Sequence, residues 1–160
     1  MQDFLRSGEF GPIRLGISRD QLRGHLGNPE DWGPFPKSER RATIWKFGDI
    51  EFHFHFKEDA LVGIFADGVE KLRGGGAINL DPWVFNGGVL VEQVLESLAE
   101  ANIPYQRIHQ DLDDNTERFQ VGGGVELLFL DETQHMFCEK GVSPLARPGM
   151  IFDGFSYHSR

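Results

Sequence analysis

Apolar and polar positions alternate without exception over 50–57: Ile50, Phe52, Phe54 and Phe56 fall on one phase, Glu51, His53, His55 and Lys57 on the other. Period-two patterning predicts a half-buried strand with the phenylalanine phase in a core and the histidine phase toward water. Apolar stretches at 43–47 and 61–66 flank it across Gly48-Asp49 and Lys57-Glu58-Asp59, which completes a three-stranded meander. Upstream, Ser18 is placed to cap a helix, Gln21 to reach back to it as in a capping box, and Ile17 to staple onto Leu22. The pattern predicts a helix over 17–27, with Leu22 and Leu26 on its apolar edge, Gly27 after its end and Pro29 blocking continuation. A polar, Pro-containing loop is expected from 28 to 41.

The same order then returns. Residues 68–88 read as a linker holding Gly74-Gly75-Gly76, Asp81-Pro82-Trp83 and Gly87-Gly88. A second helix is predicted over 89–101, with Leu90, Val91, Val94, Leu95 and Leu98 on one stripe, Asn102 as a cap and Pro104 as a stop. Strands are expected at 105–109, 117–121, 125–130 and 135–139. A shift of 72 residues places Gly16 on Gly88, Ile17 on Val89, Gln21 on Gln93 and Leu26 on Leu98, and a shift of 75 places Ile50 on Val125, Glu51 on Glu126 and Phe52 on Leu127. The expected fold is α+β: two helix-plus-antiparallel-meander units in tandem repeat, with the helices on one face of the sheet. The units are 1–67 and 89–160, the second including a C-terminal tail, packed as one compact domain.

Composition narrows the class. At 160 residues, with 39% hydrophobic and 26% charged positions, the chain has the makings of a real core and is neither disordered nor membrane-embedded in character. No apolar run approaches the roughly 20 residues of a spanning helix, and Met1-Gln2-Asp3-Phe4-Leu5-Arg6 has no signal-peptide pattern, so a cytoplasmic protein is expected. Sixteen basic against 25 acidic residues give a net charge of −9, which argues against nucleic acid as a partner. One cysteine, Cys138, excludes an intrachain disulfide and fits a reducing compartment.

Gly11-Pro12-Ile13-Arg14-Leu15-Gly16-Ile17-Ser18-Arg19-Asp20-Gln21-Leu22, ending in Leu26-Gly27-Asn28-Pro29, resembles the opening of repeats in the β-lactamase-inhibitor-protein-like fold, which small outer-membrane assembly lipoproteins share. Trp45-Lys46-Phe47-Gly48-Asp49-Ile50-Glu51-Phe52-His53-Phe54 is similar to cytoplasmic bacterial proteins with this opening, several of them suspected immunity proteins of toxin systems. The specific part of the resemblance spans roughly residues 8 to 67, and the second half follows in pattern alone. Without a signal-peptide pattern or a cysteine pair, the chain departs from the secreted inhibitors.

Candidate chemistry is sparse. His53 and His55 share a face with Glu51, and two histidines with a carboxylate are ligands for zinc or iron, but a third convergent ligand is needed and residues two apart on a strand splay. The ordinary reading is the solvated face of a half-buried sheet. Asp111, Asp113 and Asn115 begin like a calcium loop, yet Thr116 and Gly122 stand where glycine and glutamate belong. The glycine triplets lack the residues of a phosphate loop, and His135 and Cys138 fall on opposite faces of a strand. Trp32, Phe35 and Trp83 lie in loops, where large aromatics either anchor a protein partner or fold back over the core. The leading expectation is therefore non-catalytic protein binding, as the resemblance implies for an immunity protein or inhibitor. It would act through Trp32, Glu51, His53 and His55, with no cofactor and no membrane, toward a basic partner such as a nuclease toxin. The alternative is a metal-binding protein or metal-dependent enzyme centred on His53 and His55.

Overall fold

The computed structural model describes residues 1–34, 38–68, 71–108, 116–131 and 150–158. Among the described residues three helices, α1 (Gln2–Ser7), α2 (Arg19–Leu26) and α3 (Val91–Glu100), accompany an eight-stranded sheet. Its strands are β1 (Asp31–Gly33), β2 (Ile44–Phe47), β3 (Ile50–Phe54), β4 (Leu61–Ala66), β5 (Tyr105–Ile108), β6 (Thr116–Val121), β7 (Val125–Asp131) and β8 (Met150–His158). Every neighbouring pair is antiparallel and the order is β1-β2-β3-β4-β8-β7-β6-β5. Two consecutive meanders thus meet along β4 and β8, an α+β arrangement.

Local chemistry accounts for the helices. Ser18 Oγ accepts from Gln21 N–H at 3.2 Å while Gln21 Oε1 accepts from Ser18 N–H at 2.9 Å, so the capping box is complete. Gly27 follows α2 at φ 79°, and Asn102 takes φ 53° beyond α3, backbone values that glycine and asparagine tolerate best.

One hydrophobic cluster joins all three helices to the sheet. Phe4 and Leu5 of α1, Leu22 of α2 and Val91, Val94 and Leu98 of α3 belong to it with Trp45, Phe47, Phe52, Phe54, Leu127, Phe129 and Phe155. Phe52 and Phe54, expected in the core, are buried, as are Leu127 and Phe129 of β7. The outward phase of the strands faces away from this cluster.

Several expectations are corrected. The strand read over 50–56 ends at Phe54, and Phe56 is 85% exposed rather than core. The register shifts at His53/Phe54, and His55 Nδ1 accepts from Lys57 N–H at 3.3 Å and Glu58 N–H at 3.1 Å, which bends the chain into a turn that carries Phe56. The loop expected over 28–41 contains β1 and a 3-10 turn at Glu39–Arg41. In the described part of the 68–88 linker Leu72 and Phe85 are buried, and Glu30 accepts from the N–H groups of Gly48 and Gly76, tying Gly76 to the β2–β3 turn. The tail contains β8, the sheet's central connector. The strand expected at 135–139, with His135 and Cys138, lies outside the described residues, as do Phe35 and 109–115.

Candidate functional site

Strand pairing assigns each side chain to a face. Lys46 pairs with Glu51, Glu51 with Phe65, His53 with Gly63, and Gly63 with His158, so these positions of β2, β3, β4 and β8 share the outward face. Their side chains form a continuous row. Lys46 Nζ lies 2.7 Å from Glu51 Oε1, and His53 Nε2–H donates to Glu51 Oε2 at 2.8 Å. The His53 ring tilts against Phe65 with centroids 4.3 Å apart, and Phe65 stacks on His158 at 6.3 Å with planes 4° apart.

Gly63 makes the aromatic part of this row attainable. A Cβ there would collide with the Phe65 ring, so the missing side chain lets the phenyl group lie over β4 between His53 and His158.

Electrostatics sharpen the picture around Glu51, which is 16% exposed. The His53 hydrogen bond, with the Lys46 hydrogen bond and charge behind it, outweighs partial burial and brings its carboxyl down to about 2. Glu51 in turn holds the Lys46 ammonium above its ordinary value. A carboxylate so satisfied serves as a fixed anion that positions an imidazole and an ammonium; it is poorly suited to accept a proton near neutral pH.

The four residues expected to act together divide. Glu51 and His53 are in direct contact on the outward face. His55 lies beyond the end of β3, its Nδ1 occupied by the turn that follows. Trp32 pairs with Trp45, whose side chain is fully buried, so Trp32 stands on the helix side of the edge strand, opposite in face to Glu51, at 39% exposure. Asp31 is the β1 residue that faces outward, opposite Lys46. Trp83 is half-buried and packs edge-on against Phe85 at 6.0 Å.

Sequence reasoning missed Phe65 and His158. Phe65 occupies the outward phase of an otherwise apolar strand, and its partner lies more than 90 positions later, on a strand that only the fold brings alongside. Among the described residues, no group of three His, Cys, Asp or Glu side chains is arranged to hold a metal ion. No described helix is long and apolar enough to cross a membrane. Comparisons with family models, with curated proteins and with solved structures found no match to this chain.

Proposed function

We propose that this protein is a non-catalytic protein-binding module of the immunity or inhibitor kind, and that the outward face of β2, β3, β4 and β8 receives its partner. The observation that carries this reading is the Lys46–Glu51–His53–Phe65–His158 row, which offers an aromatic platform beside fixed charged groups. A satisfied carboxylate and a stacked imidazole arrive pre-organised, so little side-chain entropy is lost when a partner docks. The net charge of −9 favours a basic partner and speeds its approach.

The reading includes a tandem repeat and a reducing, cytoplasmic setting. Ile17 and Val89, 72 positions apart, each offer a main-chain oxygen to a central strand, from Leu61 N–H at 2.8 Å and Phe152 N–H at 3.0 Å. Gln21 and Gln93 each accept, through their side chains, from the N–H three residues before, at 2.9 and 3.0 Å. A lone cysteine suits a reducing compartment.

The test is a comparative capture from an extract of the source cells, with wild type, Phe65→Ala, a His53→Ala/His55→Ala double variant and Trp32→Ala as baits. The partner retained by wild type is expected to bind Phe65→Ala about thirtyfold more weakly, the loss of a true anchor, and the histidine variant measurably more weakly. A partner held equally by all the outward-face variants and lost from Trp32→Ala would overturn the face assignment. Elemental analysis of untagged protein tests the metal alternative: one equivalent of zinc or iron, lost with His53→Ala/His55→Ala, would replace the binding reading.

A further inference from the structure

A second site lies apart from this face. α2, the 3-10 turn and the β3–β4 turn border an open cavity of about 520 Å³ whose lining includes Arg19, Arg23, Arg40, Arg41 and Lys57. Asp20, Glu58 and Asp59 supply three carboxylates against these five cations. An excess of positive charge has therefore collected around one cavity in a chain whose net charge is −9.

The cations are of two kinds. Arg19 is fixed: its guanidinium donates to Ala42 O at 2.8 and 3.2 Å and to Asp59 at 2.6 Å, and lies 4.3 Å over the Phe54 ring. Arg23 is fixed likewise, donating to Asp20 at 3.1 Å and Glu39 at 2.8 Å and lying 5.0 Å over Trp45, while its buried Nε has no acceptor among the described residues. These two are rigid and already ion-paired. Arg40, Arg41 and Lys57 are exposed and make no ion pair among the described residues, so their donors are open to a ligand. Beside them Phe56 presents an 85% exposed ring to the same cavity.

We propose that this cavity binds a nucleoside phosphate, with the phosphate on the open guanidinium groups of Arg40 and Arg41 and the base on the face of Phe56. Arginine forks match phosphate oxygens in geometry and charge, and an exposed phenyl ring stacks any base. The volume falls within the roughly 300–1,000 Å³ of small-ligand sites. A small anion is favoured over a nucleic-acid strand because a long polyanion would run onto the acidic remainder of the surface. Neither Glu51 nor His53 takes part, so this proposal and the partner-face reading stand or fall separately.

The experiment is titration calorimetry at low ionic strength with inorganic phosphate, adenosine monophosphate, adenosine and a single-stranded RNA oligonucleotide as probes. Adenosine monophosphate is expected to bind at least about tenfold more tightly than phosphate, and adenosine to show no binding. Arg40→Ala/Arg41→Ala is expected to weaken adenosine monophosphate at least about tenfold, and Phe56→Ala to reduce it to the affinity of phosphate. All three side chains are exposed, so thermal unfolding of the variants should match wild type and rule out misfolding as the cause. The proposal is overturned if adenosine monophosphate fails to bind up to about 10 mM, binds no tighter than phosphate, binds the double-arginine variant unchanged, or is outcompeted by the RNA.

Discussion

The meander β1–β4 and the meander β5–β8 bury comparable side chains and present different chemistry to solvent. Phe52 and Phe54 of β3 and Leu127 and Phe129 of β7 are all buried in one cluster. Outward, β2 and β3 carry Lys46, Glu51 and His53 in a row joined by the Lys46–Glu51 ion pair and the His53–Glu51 hydrogen bond. The outward positions of β6 and β7 carry Arg118, Gln120, Glu126 and Leu128 instead. There Gln106 Nε2 donates to Gln120 Oε1 at 3.0 Å, and neither Arg118 nor Glu126 makes an ion pair among the described residues. What is alike between the halves is what folding requires. What differs, including the arginine cavity confined to the first half, is where function is to be sought.

The largest effect expected from breaking this comparison comes from the shared core. Phe54→Ala and Phe129→Ala should each cost roughly 3–5 kcal/mol, the transfer of a buried phenyl group plus the cavity it leaves. Because β4 pairs with β8 and one cluster spans both meanders, each variant should lower a single unfolding transition. Trp45, buried in the first half, is the reporter in a Trp32→Phe/Trp83→Phe background: its fluorescence transition should shift to lower denaturant in Phe129→Ala. A Trp45 transition left in place by that variant would mean that the halves unfold separately.

The outward row gives a smaller, pH-dependent effect. The Glu51 carboxyl stands at about 2 against 4.5 in the unfolded chain, so its contribution is fully present above about pH 4.5 and is lost as pH falls through about 2. Glu51→Gln should therefore lower stability near neutral pH by about 1–2 kcal/mol, allowing for solvent screening at a partly exposed site. The difference between wild type and variant should shrink steadily as the medium is acidified across that window. A pH-independent difference would assign the loss to packing instead. Glu126→Gln, at an outward position of β7 with no ion pair among the described residues, should change stability by less than about 0.5 kcal/mol at any pH.

What was legible in the chain follows the range of the interactions. The α2 capping box and the alternation of β3 lie within a few residues, so short-range pattern sufficed for them. The alternation misled at Phe56, because the His55 ring accepts from the next turn and ends the strand early. β8 escaped because Gly154 and a register shift opposite Leu128/Phe129 interrupt its pattern, and its partners β4 and β7 lie far away in sequence. α1 is six residues long, too short for a period to emerge, and is held by Phe4 against Phe10, Phe155 and Tyr157 and by Gly123 N–H donating to Leu5 O at 3.0 Å. Glu51 and His53 were visible as neighbours on one strand. Phe65, His158 and the arginine cavity, assembled across strands or from three separate segments, were not.

The smallest expected effects lie at the starts of α2 and α3, whose N-terminal cap positions hold Ser18 and Leu90. Ser18 accepts from Gln21 N–H, whereas Leu90, at the same position before α3, has no hydrogen-bonding group and leaves the Gln93 half of the arrangement alone, with Leu90 N–H donating to Gln93 Oε1 at 3.0 Å. Ser18→Ala should therefore cost about 1 kcal/mol, the usual loss of an N-terminal cap. Leu90→Ser should do the opposite, since the side chain is 37% exposed and a hydroxyl can take up an N–H that α3 leaves unpaired. The gain is expected to be about 0.5 kcal/mol, because some apolar contact is given up in exchange. Chemical denaturation of the two variants and of their combination gives the comparison directly, and the two effects should add, since the caps stand in different meanders and share no hydrogen-bond partner. A loss of stability in Leu90→Ser would show that the Leu90 side chain holds the start of α3 through its apolar contacts rather than merely occupying a vacant cap, and the two helix starts would then be built on different principles.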